Sequence, residues 1–467
     1  MSVASAARVH PPVTSPSSTD DAAPVRAERV GTPAATIAEP PVARRGWPKS
    51  FRALEVRDYR LYLSSQVVAT TGLWMQRIAQ DWLILQLTGK VSMVGIAVAL
   101  QFAPVLIFGL FGGVIADRFP KRRILMITQS TAALMAIALG TLALTHTVQA
   151  WHVLVIATVL GFVTVVDNPT RQVFVSELVG PQHIRNAVSL NSSVFQLGAL
   201  VGPAISGALI SAVGQGWSFL INAASCLLVV IMLAVIRSKP AAAPGPAAAD
   251  TVPVERWSEG LHFIRRTPEV GWTIVLVAAM ALFGLNMPVI LSAFADHIFQ
   301  TGVGGYSIFN SMTAVGALLG ALLSARRSGK LRLRALVGFL AGLGAMLAVA
   351  SLAPTDWLFA AVLVSVGLCT LLFLTGANSL VQMTATPQLR GRVMSVYLLV
   401  LLGGQSVGGP LVGQLVDLIG ARASMAVCGL MVLVVCGVAA IKMARASHLH
   451  LTWRDRHHGV LPHIVQH

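Results

Sequence analysis

Three pairs of charged residues stand where charge is expensive or where it can tie helix ends together. In "WMQRIAQDW", residues 74 to 82, Arg77 and Asp81 are four apart inside an otherwise apolar run, flanked by Gln76 and Gln80. On a helix this spacing puts both on one face. An ionisable pair within hydrocarbon needs partners or a water-filled cavity, so by default it marks a functional position. Two roles are open: Asp81 exchanges a proton, with the neighbouring Arg77 depressing its proton affinity, or the pair locks this helix to a neighbour. In "GGVIADRFPKRRIL", residues 112 to 125, Asp117 is followed by Arg118, Lys121, Arg122 and Arg123 between two apolar runs. An acid beside a guanidinium near helix termini can form charge-assisted hydrogen bonds at headgroup depth. In "VVDNPTRQ", Asp167 and Arg171 lie one turn apart if the helix continues past Pro169. The alternatives are a basic anchor for the second stretch and an end-of-helix salt bridge for the third.

These residues must be positioned by membrane helices. The chain has 467 residues, 55% hydrophobic and 11% charged, a composition that sets aside a soluble protein. Twelve apolar runs are read between Ser64 and Ile441, each long enough to span a hydrocarbon core that needs about 20 helical residues. The net charge of +16 is mostly a topology signal. With both termini in the cytoplasm, 31 of the 34 Lys and Arg fall on the inner side, leaving Lys90, Arg422 and the intramembrane Arg77. Nucleic-acid binding is therefore not expected. Cys226, Cys369, Cys428 and Cys436 lie inside apolar runs and point to neither a disulfide nor a metal site. No G-x-x-x-x-G-K-[ST] motif is present, which argues against ATP-driven transport by this chain alone.

The runs divide into two sets of six. Residues 1–57 read as a disordered cytoplasmic tail, 58–236 as an N-terminal six-helix bundle and 237–269 as a cytoplasmic linker. Residues 270–441 read as a C-terminal bundle, and 442–467 as a histidine-rich cytoplasmic tail. Within the linker, "ERWSEGLHFIRR" places Trp257, Leu261 and Ile264 on one face, as in an amphipathic helix on the inner membrane surface or an ordinary solvated helix. Gly109 and Gly316, Gly113 and Gly320, Arg185 and Arg392, Gly202 and Gly409, and Pro203 and Pro410 all share an offset of 207 residues. One offset across such pairs argues for internal duplication, the architecture of transporters that rock two halves about a central site. The acid of the 113–123 stretch has no counterpart, because Ser324 stands at its matching position.

Gly113, Asp117, Arg118, Lys121 and Arg122, between runs 2 and 3, resemble the first signature of the major facilitator superfamily, with Pro120 where that signature has glycine. "GALVGPAISG", residues 198 to 207, resembles the superfamily's antiporter signature, with Ser206 replacing one glycine, and "GGQSVGGP" repeats a variant in the second half. Gly198, Gly202, Pro203, Gly207, Gly409 and Pro410 carry that second likeness; small residues so spaced also let any two membrane helices approach closely. "VVDNPTRQ" is similar to the multidrug and enterobactin-exporter-like branch. The resemblance covers residues 51 to 441. It implies an all-α membrane protein with twelve transmembrane helices in two pseudo-symmetric six-helix bundles, and a cytoplasmic latch in which Asp117 and its neighbouring bases engage Asp167 and Arg171.

The function expected on these grounds is proton-coupled export of small amphiphilic compounds, such as drugs, siderophores or secondary metabolites, by alternating access in the cytoplasmic membrane. The alternatives are a dedicated exporter of narrow specificity, and a non-transporting receptor or lipid-handling protein on the same fold. Neither enzymatic activity nor a cofactor is expected. The partners are a small-molecule substrate and the lipid bilayer, with the monomer as the working unit. Candidate cavity residues are Trp74, Gln101, Asn191, Asn286, Asn310 and Gln405, each of which can equally satisfy a helix contact. Asp296 and His297 can relay protons at the outer mouth or form a solvated helix end. The six histidines of the C-terminal tail lack a regular metal-ligand spacing.

Overall fold

The computed structural model describes residues 49–236, 255–326, 331–386 and 389–446, together with two short strands, His450–Thr452 and His463–Val465. The strands pair antiparallel, with Leu451 opposite Ile464. Everything else with regular structure is helical. Before the linker come α1 (Arg57–Thr88), α2 (Val91–Arg118), α3 (Lys121–Leu144), α4 (Ala150–Val179), α5 (Ile184–Val213) and α6 (Gln215–Val235). After it come α7 (Glu255–Arg266), α8 (Pro268–Ala279), α9 (Met287–Ala293), α10 (Gly302–Arg326), α11 (Leu333–Ser351), α12 (Asp356–Thr384), α13 (Arg390–Ile419) and α14 (Ala421–Ala446). Among the described residues, 11 helices are long and apolar enough to cross a membrane, α8 and α9 together supplying one of them, Pro268–Ile298. α1 is outside that number although it is 32 residues long, because Gln66, Gln76, Arg77, Gln80 and Asp81 interrupt its apolar sequence.

Several expected boundaries shift. Residues expected to be tail form a short 3-10 helix, Lys49–Glu55. Ala53 within it is fully buried, and its backbone N–H donates to Asn186 Oδ1 at 3.0 Å. α14 runs on to Ala446, taking residues assigned to the C-terminal tail. Most of that tail, residues 1–48 and residues 237–254 lie outside the described residues. α7 replaces part of the linker, with Ile264 buried and Leu261 44% exposed; the side chain of Trp257 is also outside the described set. The helix docks on the start of α13, where Gly260 meets Arg392 and Glu259 pairs with the same arginine. α4 continues through Pro169, and α2, α5 and α13 likewise contain Pro104, Pro203 and Pro410. Membrane helices tolerate proline because neighbouring helices and local adjustments re-satisfy the freed backbone groups.

The segment from Pro268 to Ile298 does break. A π turn, Met280–Gly284, ends its first half, and Pro288 sits in the first turn of α9. Asn286 stands at the break with its Nδ2 donating to the carbonyls of Ala281 and Leu282 at 3.1 and 3.0 Å. Its side chain is fully buried, the Nδ2 repairing an interrupted helix while the Oδ1 has no hydrogen-bond partner among the described residues.

α2 packs on α4, α3 on α6 and α1 on α5 and α6; the matching contacts are α10 with α12 and α11 with α14. Close approaches are made at glycines. Gly112 lies against the Val165 carbonyl of α4, and Gly316 and Gly367 bring α10 and α12 together. The α5–α6 and α13–α14 corners are each made by one glycine with positive φ, Gly214 at 92° and Gly420 at 83°, a conformation other residues rarely adopt.

The two helix groups meet along two seams, α2 with α13 and α5 with α10. On the first, a side chain on Gly95 would overlap the Gly409 carbonyl, and Gly413 lies against Val91 and Ser92. On the second, Gly207 faces Ser307 and Val303. Gly95→Ala should therefore destabilise the protein by about 1–3 kcal/mol, the usual range for overpacking, seen as a lower melting temperature of the purified protein. Gly113→Ala should leave it unchanged, because an added Cβ there meets nothing within 4 Å.

Candidate functional site

Asp81, six turns along α1, is 6% exposed and faces the other helix group. Its Oδ2 accepts a hydrogen bond from the Tyr306 hydroxyl of α10 at 2.9 Å. The Tyr306 ring stacks on Trp82, centroids 6.1 Å apart, which fixes the hydroxyl against the carboxylate. Asn310, one turn further along α10, donates to the Tyr306 carbonyl at 2.8 Å. A carboxylate at this depth thus ties α1 to α10 across the two helix groups, beside the α5–α10 seam. Around it α1 is tied to its own group by polar contacts: Asn222 Nδ2 donates to Gln76 Oε1, and Ser206 donates to the Met75 carbonyl at 3.0 Å. Gln80 is buried with neither amide atom hydrogen-bonded. Arg77 is part-buried and lies over the Trp74 ring, 4.9 Å from its centroid, without direct ion-pair contact with Asp81. Trp74 in turn meets Phe195 of α5 edge-on at 5.6 Å.

The α2–α13 seam has a carboxylate of its own. Asp417, in the last turn of α13, accepts the backbone N–H groups of Val91 and Ser92, both at 3.0 Å. It caps the first turn of α2 from the opposite helix group, satisfying donors that a helix start leaves open and meeting the positive end of the helix dipole. Lys90, the residue before α2, makes no such cap with its own side chain. Deeper along this seam Ser406 donates to the Ala99 carbonyl at 3.1 Å and Gly403 meets Leu106. Gln101 and Gln405 are part-buried on the same two helices, and Asn191 is part-buried on α5. Gly198 and Gly202 bring α5 onto Thr70, Thr71 and Trp74 of α1, whereas Gly207 and Gly409 serve the two seams. Pro203 is buried on α5 and Pro410 part-buried on α13.

All these cross-group contacts lie away from the face that carries Arg118, Lys121, Arg122 and Arg123. On that basic face, no hydrogen bond or ion pair joins the two groups among the described residues. Past Leu106, α2 exposes Ile107, Phe111 and Val114. Here the expected convergence of Asp117, Arg118, Asp167 and Arg171 is not what the structure holds. Asp117 and Arg118 are exposed and contact neither Asp167 nor Arg171. Lys121 reaches Glu177 at 3.9 Å, and Arg122 donates to the Ala234 carbonyl at 2.6 Å. The packing glycine of this stretch is Gly112; Gly113 faces open space. All four residues lie in one helix group, and the physical reason is that Asp167 and Arg171 are already satisfied inside it while Asp117 and Arg118 are exposed at the end of α2.

Asp167 and Arg171 instead form the centre of a network inside one helix group. Asp167 Oδ2 accepts from Arg171 Nε at 3.0 Å and Nη2 at 2.7 Å, and its Oδ1 accepts from Thr128 at 2.8 Å and Gln129 at 3.1 Å. Arg171 Nη1 completes the set by donating to Gln66 of α1. Removing one partner of a buried, hydrogen-bonded pair leaves the other uncompensated, at a cost of about 3–5 kcal/mol. Asp167→Ala is accordingly expected to lower the melting temperature and yield sharply. The double variant Asp167→Asn/Arg171→Gln should recover most of the loss; no recovery would mean the pair matters for more than charge balance.

The family model described as a transmembrane secretion effector matches residues 49–461. The chain belongs to that family, within the major facilitator superfamily. Similar proteins include the multidrug efflux pump Tap of Mycolicibacterium fortuitum, 29% identical over 84% of this chain and 97% of that protein. The enterobactin exporter EntS of Escherichia coli O1:K1 is 24% identical over 84% of this chain and 93% of its own. The fold is shared with the nucleoside transporter NupG, at a TM-score of 0.67 and 13% identity over 82% of this chain and 99% of that one. It is shared also with a bacterial homologue of the lysosomal transporter Spinster solved inward-facing and unoccupied, at 0.65 and 15% over 83% and 97%.

In this major facilitator protein, a multi-pass membrane transporter, sequence reasoning reached Asp81 but missed Tyr306 and Asp417. A tyrosine near a helix start and an aspartate at a helix end carry no local signal. Only the crossing of α1 with α10 and of α13 with α2 makes them partners. Asp296 and His297 sit at the end of the broken segment, 3.7 Å apart and about half exposed.

Proposed function

We propose that this chain exports small amphiphilic compounds across the bacterial cytoplasmic membrane by alternating access, driven by proton entry. α1 counts as a transmembrane helix in this reading, giving twelve in two six-helix bundles, residues 58–236 and 270–441, with both termini cytoplasmic and the monomer as the working unit. The basic face is then the cytoplasmic one, and the conformation described above is open toward the cytoplasm. The exporter and efflux-pump relatives support the direction of transport.

The observation that carries the mechanism is the bond between Asp81 and Tyr306. A carboxylate hydrogen-bonded across the two helix groups couples its own charge to the closure of the outer side. Protonation weakens that bond, and a bound proton shifts the conformational balance by its differential affinity for the two states. The outer seams then part and the basic face closes. In that state Asp117 and Arg118, without a partner among the described residues here, meet the second bundle and form the latch.

Everted membrane vesicles test the proposal. Accumulation of amphiphilic dyes should require both the protein and an imposed proton gradient. Accumulation indifferent to the gradient would remove proton coupling, and none at all for any amphiphile would favour a receptor. A response confined to a few related compounds would favour a dedicated exporter.

A further inference from the structure

The same face of α1 that carries Asp81 carries a cation with no direct ion pair among the described residues. Thr70 and Trp74 meet Gly198 and Gly202 of α5, and Asp81 meets Tyr306 of α10. Arg77 lies between these contacts, where α1 looks onto the α5–α10 seam. Its guanidinium makes no hydrogen bond and no ion pair with any described residue. Its Cζ lies over the Trp74 indole, 4.9 Å from the centroid, and the Asp81 carboxylate is engaged by Tyr306 instead. An arginine carries five N–H donors in a planar fork that fits a carboxylate edge-on. Within a bilayer such a group demands a partner.

A second polar atom beside it is also unmet. The Trp74 indole Nε1 is buried without an acceptor. Phe195, 44% exposed, offers its ring next to the indole, and Asn191 stands one turn earlier on α5. The site therefore combines a free guanidinium fork, a free indole N–H and an aromatic wall. It lies on the seam that closes the outer side while the basic face is open.

We infer that Arg77, Trp74 and Phe195 form the cargo site for an aromatic carboxylate: the guanidinium takes the anionic group and the two rings take the aromatic body. This rests on the export reading above and narrows its substrate class from amphiphiles in general to amphiphilic acids. The fork supplies charge recognition, and stacking on Trp74 holds the fork's orientation.

Matched probes with one ring system and different charge test it: 2-naphthoate, 2-naphthamide and 2-naphthylmethylammonium, bound to the full chain in nanodiscs of zwitterionic lipid. The naphthoate should bind about tenfold or more tighter than either analogue, as a charge-assisted pair predicts. Arg77→Gln should erase that preference, Arg77→Lys should restore part of it, and Trp74→Leu should weaken all three probes. Equal binding of the three, absence of naphthoate binding, or a preference that survives Arg77→Gln would overturn the site. Everted vesicles separate this from the export reading. Proton-driven export of dyes without naphthoate preference overturns the anion site alone. An Arg77-dependent naphthoate preference with no export of any compound overturns export and leaves the anion site standing.

Discussion

Asp81→Asn protein is expected to reach the membrane at normal levels and yet to accumulate dye in everted vesicles no faster with a proton gradient than without one. The asparagine is nearly isosteric and its amide oxygen can still accept from the Tyr306 hydroxyl, so the fold and the seam persist. What disappears is a group whose charge changes with the proton. At least a hundredfold fall in gradient-driven uptake should therefore accompany unaltered substrate exchange at equilibrium, which needs no net proton movement. Tyr306→Phe is the companion test. It leaves the titrating carboxylate and removes its partner in the other helix group, so coupling should survive while the outer side opens more readily. Wild-type coupling in Asp81→Asn would remove this residue from the mechanism.

The second large effect is expected at Asp417. Two backbone N–H groups of α2 are capped by one side chain from α13, and caps of this kind contribute about 0.5–2 kcal/mol. A cap that spans two helix groups contributes only while they touch. Asp417→Ala should then shift the conformational balance toward the state open on the outer side by about tenfold, since 1.4 kcal/mol is one decade in an equilibrium constant. The readout is labelling of a single cysteine introduced near Ser92 or Gly413 by an impermeant maleimide added from the outside, expected to rise about tenfold in Asp417→Ala and less in Asp417→Asn, which keeps one acceptor. Unchanged labelling would reduce Asp417 to an ordinary helix-end residue.

The helical scaffold was legible because its physics is local. Long apolar runs, lysines and arginines on alternate connections, and a repeat offset of 207 residues are properties of the chain itself. The residues that interrupt α1 were legible for the same reason, since Arg77 and Asp81 stand out against hydrocarbon. Other features were legible only as chemistry, without a partner. Asp167 and Arg171 do form a pair, but Thr128, Gln129 and Gln66 complete it from two other helices, and no spacing predicts that. The bonds Asn286 makes to Ala281 and Leu282 depend on a π turn packed against α13, which no local spacing announces. Asp117 and Arg118 read as a latch, and whether a latch is engaged depends on conformation, which one sequence shared by all states does not encode.

The glycine seams carry a consequence for how this transporter is tuned. Where Gly95 meets Gly409 and Gly207 meets Ser307, the surfaces in contact are backbone and small side chains, with few rotamers to rearrange when they separate. Such a surface behaves as a bearing with little set point of its own. The resting bias between the two orientations is then delegated to a few discrete polar contacts, among them Asp81 with Tyr306, Asp417 with α2 and Ser406 with the Ala99 carbonyl. Single substitutions at those contacts can retune resting bias and speed in small steps while the helical frame stays as it is. That separability gives a pump of this design a short mutational route from one working range to another.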